Sequence, residues 1–121
     1  VSIFACGHMV WKAIEAGKQL ESEGISVEVI NIHTIKPLDI DAVMSSIQKT
    51  KCAVTVEEHN ILGGLGDSIA QVASKNLPIP IEFLGTQDTF GESGKPVELL
   101  KKYCLDTVNI VEATKKVISR K

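Results

Sequence analysis

The sequence predicts an α/β fold: a parallel sheet with helices packed on both of its faces. Two patterns lead there. Short runs rich in Val, Ile and Phe alternate with longer stretches whose apolar residues recur at i, i+3, i+4 and i+7. That alternation, read along the chain as β-α-β-α-β-α-β-α-α, is the order in which right-handed crossovers build a parallel sheet. A third observation is the stretch from Cys52 to Ala70. It runs from β-branched residues (Ala53 to Val56) through a polar turn (Glu57, Glu58, His59, Asn60) and three glycines (63, 64, 66) into a helical pattern. This is a buried strand, a tight loop and a helix, and open α/β sheets place their ligand and partner contacts at such strand-to-helix junctions.

The first strand covers Val1 to Ala5 and is broken by Gly7. The first helix begins at Gly7 or His8 and runs to about Glu23, with Val10, Ala13, Ile14, Gly17 and Leu20 as its core face and Gly24 as its C-terminal stop. The second strand is Val27 to Ile32. Pro37 disfavours helix before it, and Asp39 is placed to cap a helix whose core face is Ile40, Val43, Met44 and Ile47. After the third strand and the glycine loop, Leu65, Ile69, Val72 and Ala73 line the next helix, and Ile81 to Leu84 forms the fourth strand. A polar loop spans Thr86 to Lys95, and Pro96 opens a short helix carrying Val97, Leu99 and Leu100. The last helix starts near Asp106 or Thr107 and buries Ile110, Ala113 and Val117.

The chain has 121 residues, enough for one domain over residues 1–121, and 44% of them are hydrophobic, enough for a core. A formal net charge of −2 gives no electrostatic basis for binding nucleic acid or an anionic membrane. No apolar run approaches the roughly 18 residues of a membrane span. Cys6, Cys52 and Cys104 lack metal or redox spacing and read as thiols of a reducing, cytoplasmic setting.

The candidate site is the loop of Glu58, His59, Asn60, Gly63, Gly64 and Gly66, read as an interface or anion-binding loop. Gly64 and Gly66 match the first pair of a dinucleotide fingerprint, but Ile69 stands at the third glycine position, and no phosphate-loop lysine follows. Free N–H groups at the helix N-terminus give the anion reading its basis. Glu57 and His59 fall on one face of an extended strand and Glu58 on the other, so one buried carboxylate is expected to cap the following helix. His8 and His33 are isolated in sequence and read as structural. Gly66-Asp67 opens like a Gly-Asp-Gly metal motif, but Ser68 replaces the second glycine, so Asp67 reads as a first-turn acid favoured by the helix dipole.

Five segments together carry a family resemblance: Ala5-Cys-Gly7, Ile35-Lys-Pro-Leu-Asp39, Val56-Glu-Glu-His-Asn60, Gly63-Gly-Leu-Gly66 and Gly91-Glu-Ser-Gly-Lys-Pro-Val-Glu-Leu-Leu100. In this order and spacing the chain resembles the C-terminal domain of transketolase and its thiamine diphosphate-dependent relatives. The resemblance implies a three-layer α/β/α sandwich with a mainly parallel sheet of four to five strands. An antiparallel edge strand would lie before Val1, which leaves four parallel strands in the order 2-1-3-4. It implies a fragment of a larger enzyme that transfers two-carbon ketol units between sugar phosphates, in which this domain serves assembly. Thiamine diphosphate and Mg2+ would be bound by the other domains and none by this chain; no residue here is assigned to catalysis, cofactor or metal. The implied partners are the remaining transketolase domains or subunit, and the complete enzyme is expected to be a homo-oligomer, a dimer in the family pattern. The Gly-Lys-Pro-x-Glu-Leu-Leu ending favours transketolase over deoxyxylulose-phosphate synthase and 2-oxoacid dehydrogenase relatives. A free-standing anion-binding regulatory or interaction domain is the alternative of a different class.

Overall fold

The computed structural model describes residues 1–33, 38–60, 64–86 and 106–121, with the backbone alone for His59, Asn60 and Thr86. The short helix with Val97, Leu99 and Leu100, most of the 86–95 loop, and Ile61, Leu62 and Gly63 lie outside the described residues. The chain runs β1 (Ser2–Ala5), α1 (Met9–Ser22), β2 (Glu28–Asn31), α2 (Ile40–Thr50), β3 (Ala53–Asn60), α3 (Leu65–Asn76), β4 (Ile81–Thr86) and α4 (Thr107–Ser119). The four strands form one sheet in the order β2-β1-β3-β4, parallel throughout. Ile3 pairs with Val29 on one side and with Val54 on the other.

Alternation along the central strands builds two cores. Ile3, Ala5, Val54 and Val56 meet Met9, Ala13, Ala16 and Leu20 of α1 and Ile110 and Val117 of α4. Phe4, Ala53 and Ile81 meet Val43 and Ile47 of α2 and Leu65, Ile69 and Val72 of α3. Among the described residues two helices therefore lie on each face, giving the three-layer sandwich. No helix among the described residues is long and apolar enough to cross a membrane.

Helix ends follow the local chemistry. The Asp39 carboxylate accepts from Ala42 N at 3.0 Å, capping α2 as its position predicts. Asp106 caps α4 with a capping box in which Asn109 returns a bond to the Asp106 N–H at 3.1 Å. Gly24 ends α1 at φ +83, a left-handed conformation that glycine adopts freely.

Two expected core positions are not core. Ile14 is 36% exposed and Ile40 51% exposed. In α1 the buried stripe is Met9, Ala13, Ala16, Gly17 and Leu20, which turns Ile14 to its edge, and Ile40 is the first residue of α2, where the stripe has not yet reached the sheet. β2 is also shorter than Val27–Ile32, although Ile32 N still bonds Ala5 O at 2.9 Å. Against this, β3 and β4 each run on past Val56 and Leu84.

Candidate functional site

β1 and β3 are the two central strands, and the chain leaves them in opposite directions: β1 leads to α1 on one face, and β3 to α3 on the other. The crevice beyond their C-terminal ends is therefore the topological switch point, where open α/β sheets receive ligands. It is built from Cys6, Gly7 and His8 after β1, from Glu57 and Glu58 of β3, and from the N-terminus of α3.

The β3–β4 ladder changes register at this point. Val56 pairs with Leu84 and Asn60 with Thr86, so a step of four residues on β3 spans a step of two on β4. Such a bulge bends the strand and re-aims its side chains. Immediately beside it, Glu57 is 1% exposed and its carboxylate accepts two backbone hydrogen bonds, from Leu65 N at 2.9 Å and from Gly66 N at 2.8 Å. These are two of the first-turn N–H groups that no helical carbonyl can satisfy, and the helix dipole adds a favourable field for the charge. The single buried carboxylate expected to cap the helix is Glu57.

Gly66 is placed by close approach. A Cβ added there would fall 2.7 Å from Phe83 Cδ1 and 3.0 Å from Thr55 Oγ1, so the first turn of α3 rests directly on β3 and β4. Thr55 Oγ1 is buried beneath it without a hydrogen-bond partner. Gly64 is the N-cap of α3 at φ −102, ψ −149; its φ is negative, so it does not adopt the left-handed geometry. Gly7, at φ +61, is the glycine near the rim that does hold it.

Glu58 points to the opposite face. Its Oε1 lies 3.5 Å from His8 Nδ1, with both side chains open to solvent. His8 is thus not isolated, as its place in the sequence implied. His59 and Asn60 contribute strand backbone, with Asn60 in the β3–β4 ladder. The fold gathers Glu57, Gly64 and Gly66 at one helix end and sets Glu58 apart across the sheet. Sequence reading took His8 as structural and Cys6 as a simple thiol and placed neither in the candidate site; the parallel register of β1 on β3, which pairs Ala5 with Val56, is what brings them to Glu57 and Glu58.

The electrostatics oppose nucleophilic chemistry. Burial, and then the charges of Glu57 and Glu58, push the Cys6 thiol above its ordinary pKa, so at neutral pH it stays protonated. Among the described residues no three His, Cys, Asp or Glu side chains converge to hold a metal ion. Gly66 and Asp67 lie in the first turn of α3, where the Gly66 N–H is already engaged by Glu57. These residues do not fit a site for a metal-bound diphosphate.

The comparisons with known proteins agree with this architecture. The family profile "Transketolase, C-terminal domain" matches residues 1–110. The 6-deoxy-6-sulfo-D-fructose transketolase subunit SqwH of Clostridium sp. (strain MSTE9) is 41% identical over 121 residues, covering 100% of this chain and 38% of that protein. The 1-deoxy-D-xylulose-5-phosphate synthase of Caldanaerobacter subterraneus subsp. tengcongensis is 37% identical over 113 residues, covering 93% of this chain and 18% of that protein. A solved structure described as a split gene transketolase, inactive beta4 tetramer, superposes with a TM-score of 0.93 at 42% identity, covering 98% of this chain and 39% of that one. The chain thus spans well under half the length of these relatives. By sequence, by sheet order and by superposition, the chain belongs to the transketolase C-terminal domain family.

Proposed function

We propose that residues 1–121 form the C-terminal assembly domain of a transketolase-type enzyme that moves two-carbon ketol units between sugar phosphates. The observation that carries this reading is the match of the whole chain to 38% of a transketolase subunit. In the complete enzyme, thiamine diphosphate and Mg2+ are held by domains or a subunit beyond this segment, and this chain alone is inactive. The superposed relative, a split gene transketolase described as an inactive beta4 tetramer, supports both inactivity and self-association here. Homo-oligomerisation and a cytoplasmic location complete the proposal. A second reading, favoured by the 37% identity to a 1-deoxy-D-xylulose-5-phosphate synthase, is the corresponding domain of such a synthase, and the substrate profile of the complete enzyme separates the two.

Within this reading, the segment from Glu58 to Gly66 is a domain or subunit contact. An exogenous anion at the start of α3 would have to displace or approach the Glu57 carboxylate, which already uses the Leu65 and Gly66 N–H groups. Ile61 and Leu62 lie in the same stretch, and burying two large aliphatic side chains against a partner contributes about 1.5–3 kcal/mol each. The test is the double variant Ile61→Ser/Leu62→Ser in the complete enzyme, followed by sedimentation velocity across a concentration series. Dissociation at higher concentration than the parent is expected. Unchanged assembly together with a hundredfold loss of turnover in His59→Ala, a magnitude typical of lost acid–base catalysis, would make the loop catalytic instead.

A further inference from the structure

Among the described residues β4 has a strand on one side only, and the end of α4 reaches over its other side. Pro80 O accepts from Ala53 N at 3.1 Å, so that carbonyl faces β3. Backbone groups alternate sides along a strand, so those of Ile81, Phe83 and Gly85 face away from β3. Such an edge is a template for another strand. At Ile81 the template is already filled: Arg120, the C-cap of α4, donates from Nη1 to Ile81 O at 3.1 Å. The neighbouring residue holds the guanidinium there. Glu82 is turned towards α4 with its side chain 16% exposed, and its carboxylate divides between Lys116 Nζ at 3.0 Å and Arg120 Nη1. Lys116 and Arg120 are open to solvent, so these pairs add little to stability. Their effect is to place a charge on an edge acceptor.

We propose that Arg120, anchored by Glu82, closes the edge of β4 against the β4 of a second copy of this chain. Without the guanidinium the strand suits pairing with itself. Arranged antiparallel about Phe83, two copies would set Phe83 opposite Phe83 and Ile81 opposite Gly85, each pair exchanging N–H···O bonds. The Phe83 rings, 41% exposed, would meet across the two-fold axis. Ile81 O is an acceptor that this ladder needs at both of its ends, and it is the one Arg120 occupies. Glu82 is the only charged residue from Ile81 to Thr86, in a strand that otherwise carries Ile, Phe and Leu. An inward-turned charge on such a strand is a recognised means of keeping edges apart.

The experiment uses the complete enzyme that carries this chain, as parent, Arg120→Ala, Glu82→Gln and Arg120→Ala/Phe83→Lys. Sedimentation velocity over a concentration series reports association beyond the parent assembly, and hydrogen–deuterium exchange reports where it occurs. Arg120→Ala leaves Lys116 as a partner for Glu82, so no carboxylate is orphaned. This variant should self-associate at least about tenfold more tightly than the parent, since a hydrogen bond is gained at each end of the ladder. Exchange over residues 81–86 should slow as its concentration rises. Glu82→Gln, which frees the guanidinium from its anchor, should move both readouts in the same direction, and it carries the test if the alanine variant fails to fold. Adding Phe83→Lys sets two lysines opposite each other and should return Arg120→Ala to the parent's association. Unchanged self-association in a folded Arg120→Ala would overturn the proposal. So would association that leaves exchange over 81–86 unaltered, or association that Phe83→Lys does not reverse.

Discussion

Replacing Gly66 by alanine probes the closest packing in the candidate site. The new methyl would lie 2.7 Å from Phe83 Cδ1, 3.3 Å from Phe83 Cε1 and 3.0 Å from Thr55 Oγ1, whereas carbon atoms prefer about 3.5–4.0 Å. The ring must therefore retreat by roughly 1 Å. Phe83 is 41% exposed and has solvent to move into, which keeps the cost at the lower part of the about 1–3 kcal/mol range for overpacking. Alanine returns about 0.5–1 kcal/mol over glycine through helix propensity. The expected balance is a loss of about 0.5 kcal/mol, or roughly 2 °C in Tm for a domain of this size. A double-mutant cycle assigns the cause. In a Phe83→Ala background the ring clash is gone, and Gly66→Ala should be neutral or mildly stabilising. The resulting coupling of about 1 kcal/mol exceeds the 0.3–0.5 kcal/mol scatter of independent sites. Urea denaturation of the four proteins gives each value. Equal effects of Gly66→Ala in both backgrounds, or a stabilised single variant, would refute the packing argument.

Thr55→Val removes a buried hydroxyl that has no partner and keeps the shape, so it should stabilise the chain by about 1 kcal/mol in chemical denaturation; destabilisation would show that the hydroxyl is satisfied. Glu28 has its pKa lowered by hydrogen bonds from Lys49 first and Ser46 second. Its contribution is therefore present above the ordinary glutamate range and is lost as pH falls through that range toward the depressed folded value. Because the Lys49–Glu28 pair is exposed, Glu28→Gln should cost less than about 1 kcal/mol at pH 7 and flatten that acid limb in pH-dependent unfolding. Cys6, held protonated by burial and by Glu57 and Glu58, should react with iodoacetamide at pH 8 more slowly than free cysteine, and Glu57→Gln should quicken it; a rate above that of free cysteine would contradict the electrostatic reading of the rim.

Much of the fold was legible because it depends on local signals that the tertiary structure does not override. Asp39 before an amphipathic run, Gly24 after one, and the stripes Leu65-Ile69-Val72-Ala73 and Ile110-Ala113-Val117 all name their own roles. Strand alternation sufficed to put Glu57 and Glu58 on opposite faces, and thus to foresee a buried carboxylate at the helix. Where reading failed, the deciding facts are non-local. Ile14 and Ile40 carry apolar side chains at helical spacing, but the angle at which each helix meets the sheet decides which edge of the stripe is covered. His8 became part of the rim only through the pairing of β1 with β3, and Phe83 and Thr55 became neighbours of Gly66 only through the stacking of α3 on β3 and β4. The hydroxyls of Ser2, Ser46 and Thr50, bonded together between β1 and α2, likewise leave no trace in the sequence, since residues more than forty positions apart share the contact.

Ketol transfer itself is the most direct test of the claim that this domain assembles rather than catalyses. The isolated chain and the complete enzyme are each supplied with thiamine diphosphate, magnesium and pentose phosphates, and sugar-phosphate products are followed over time. The account predicts no turnover above background for the chain alone, and turnover that appears only with the remaining domains or subunit. Ketol transfer by residues 1–121 alone would contradict it.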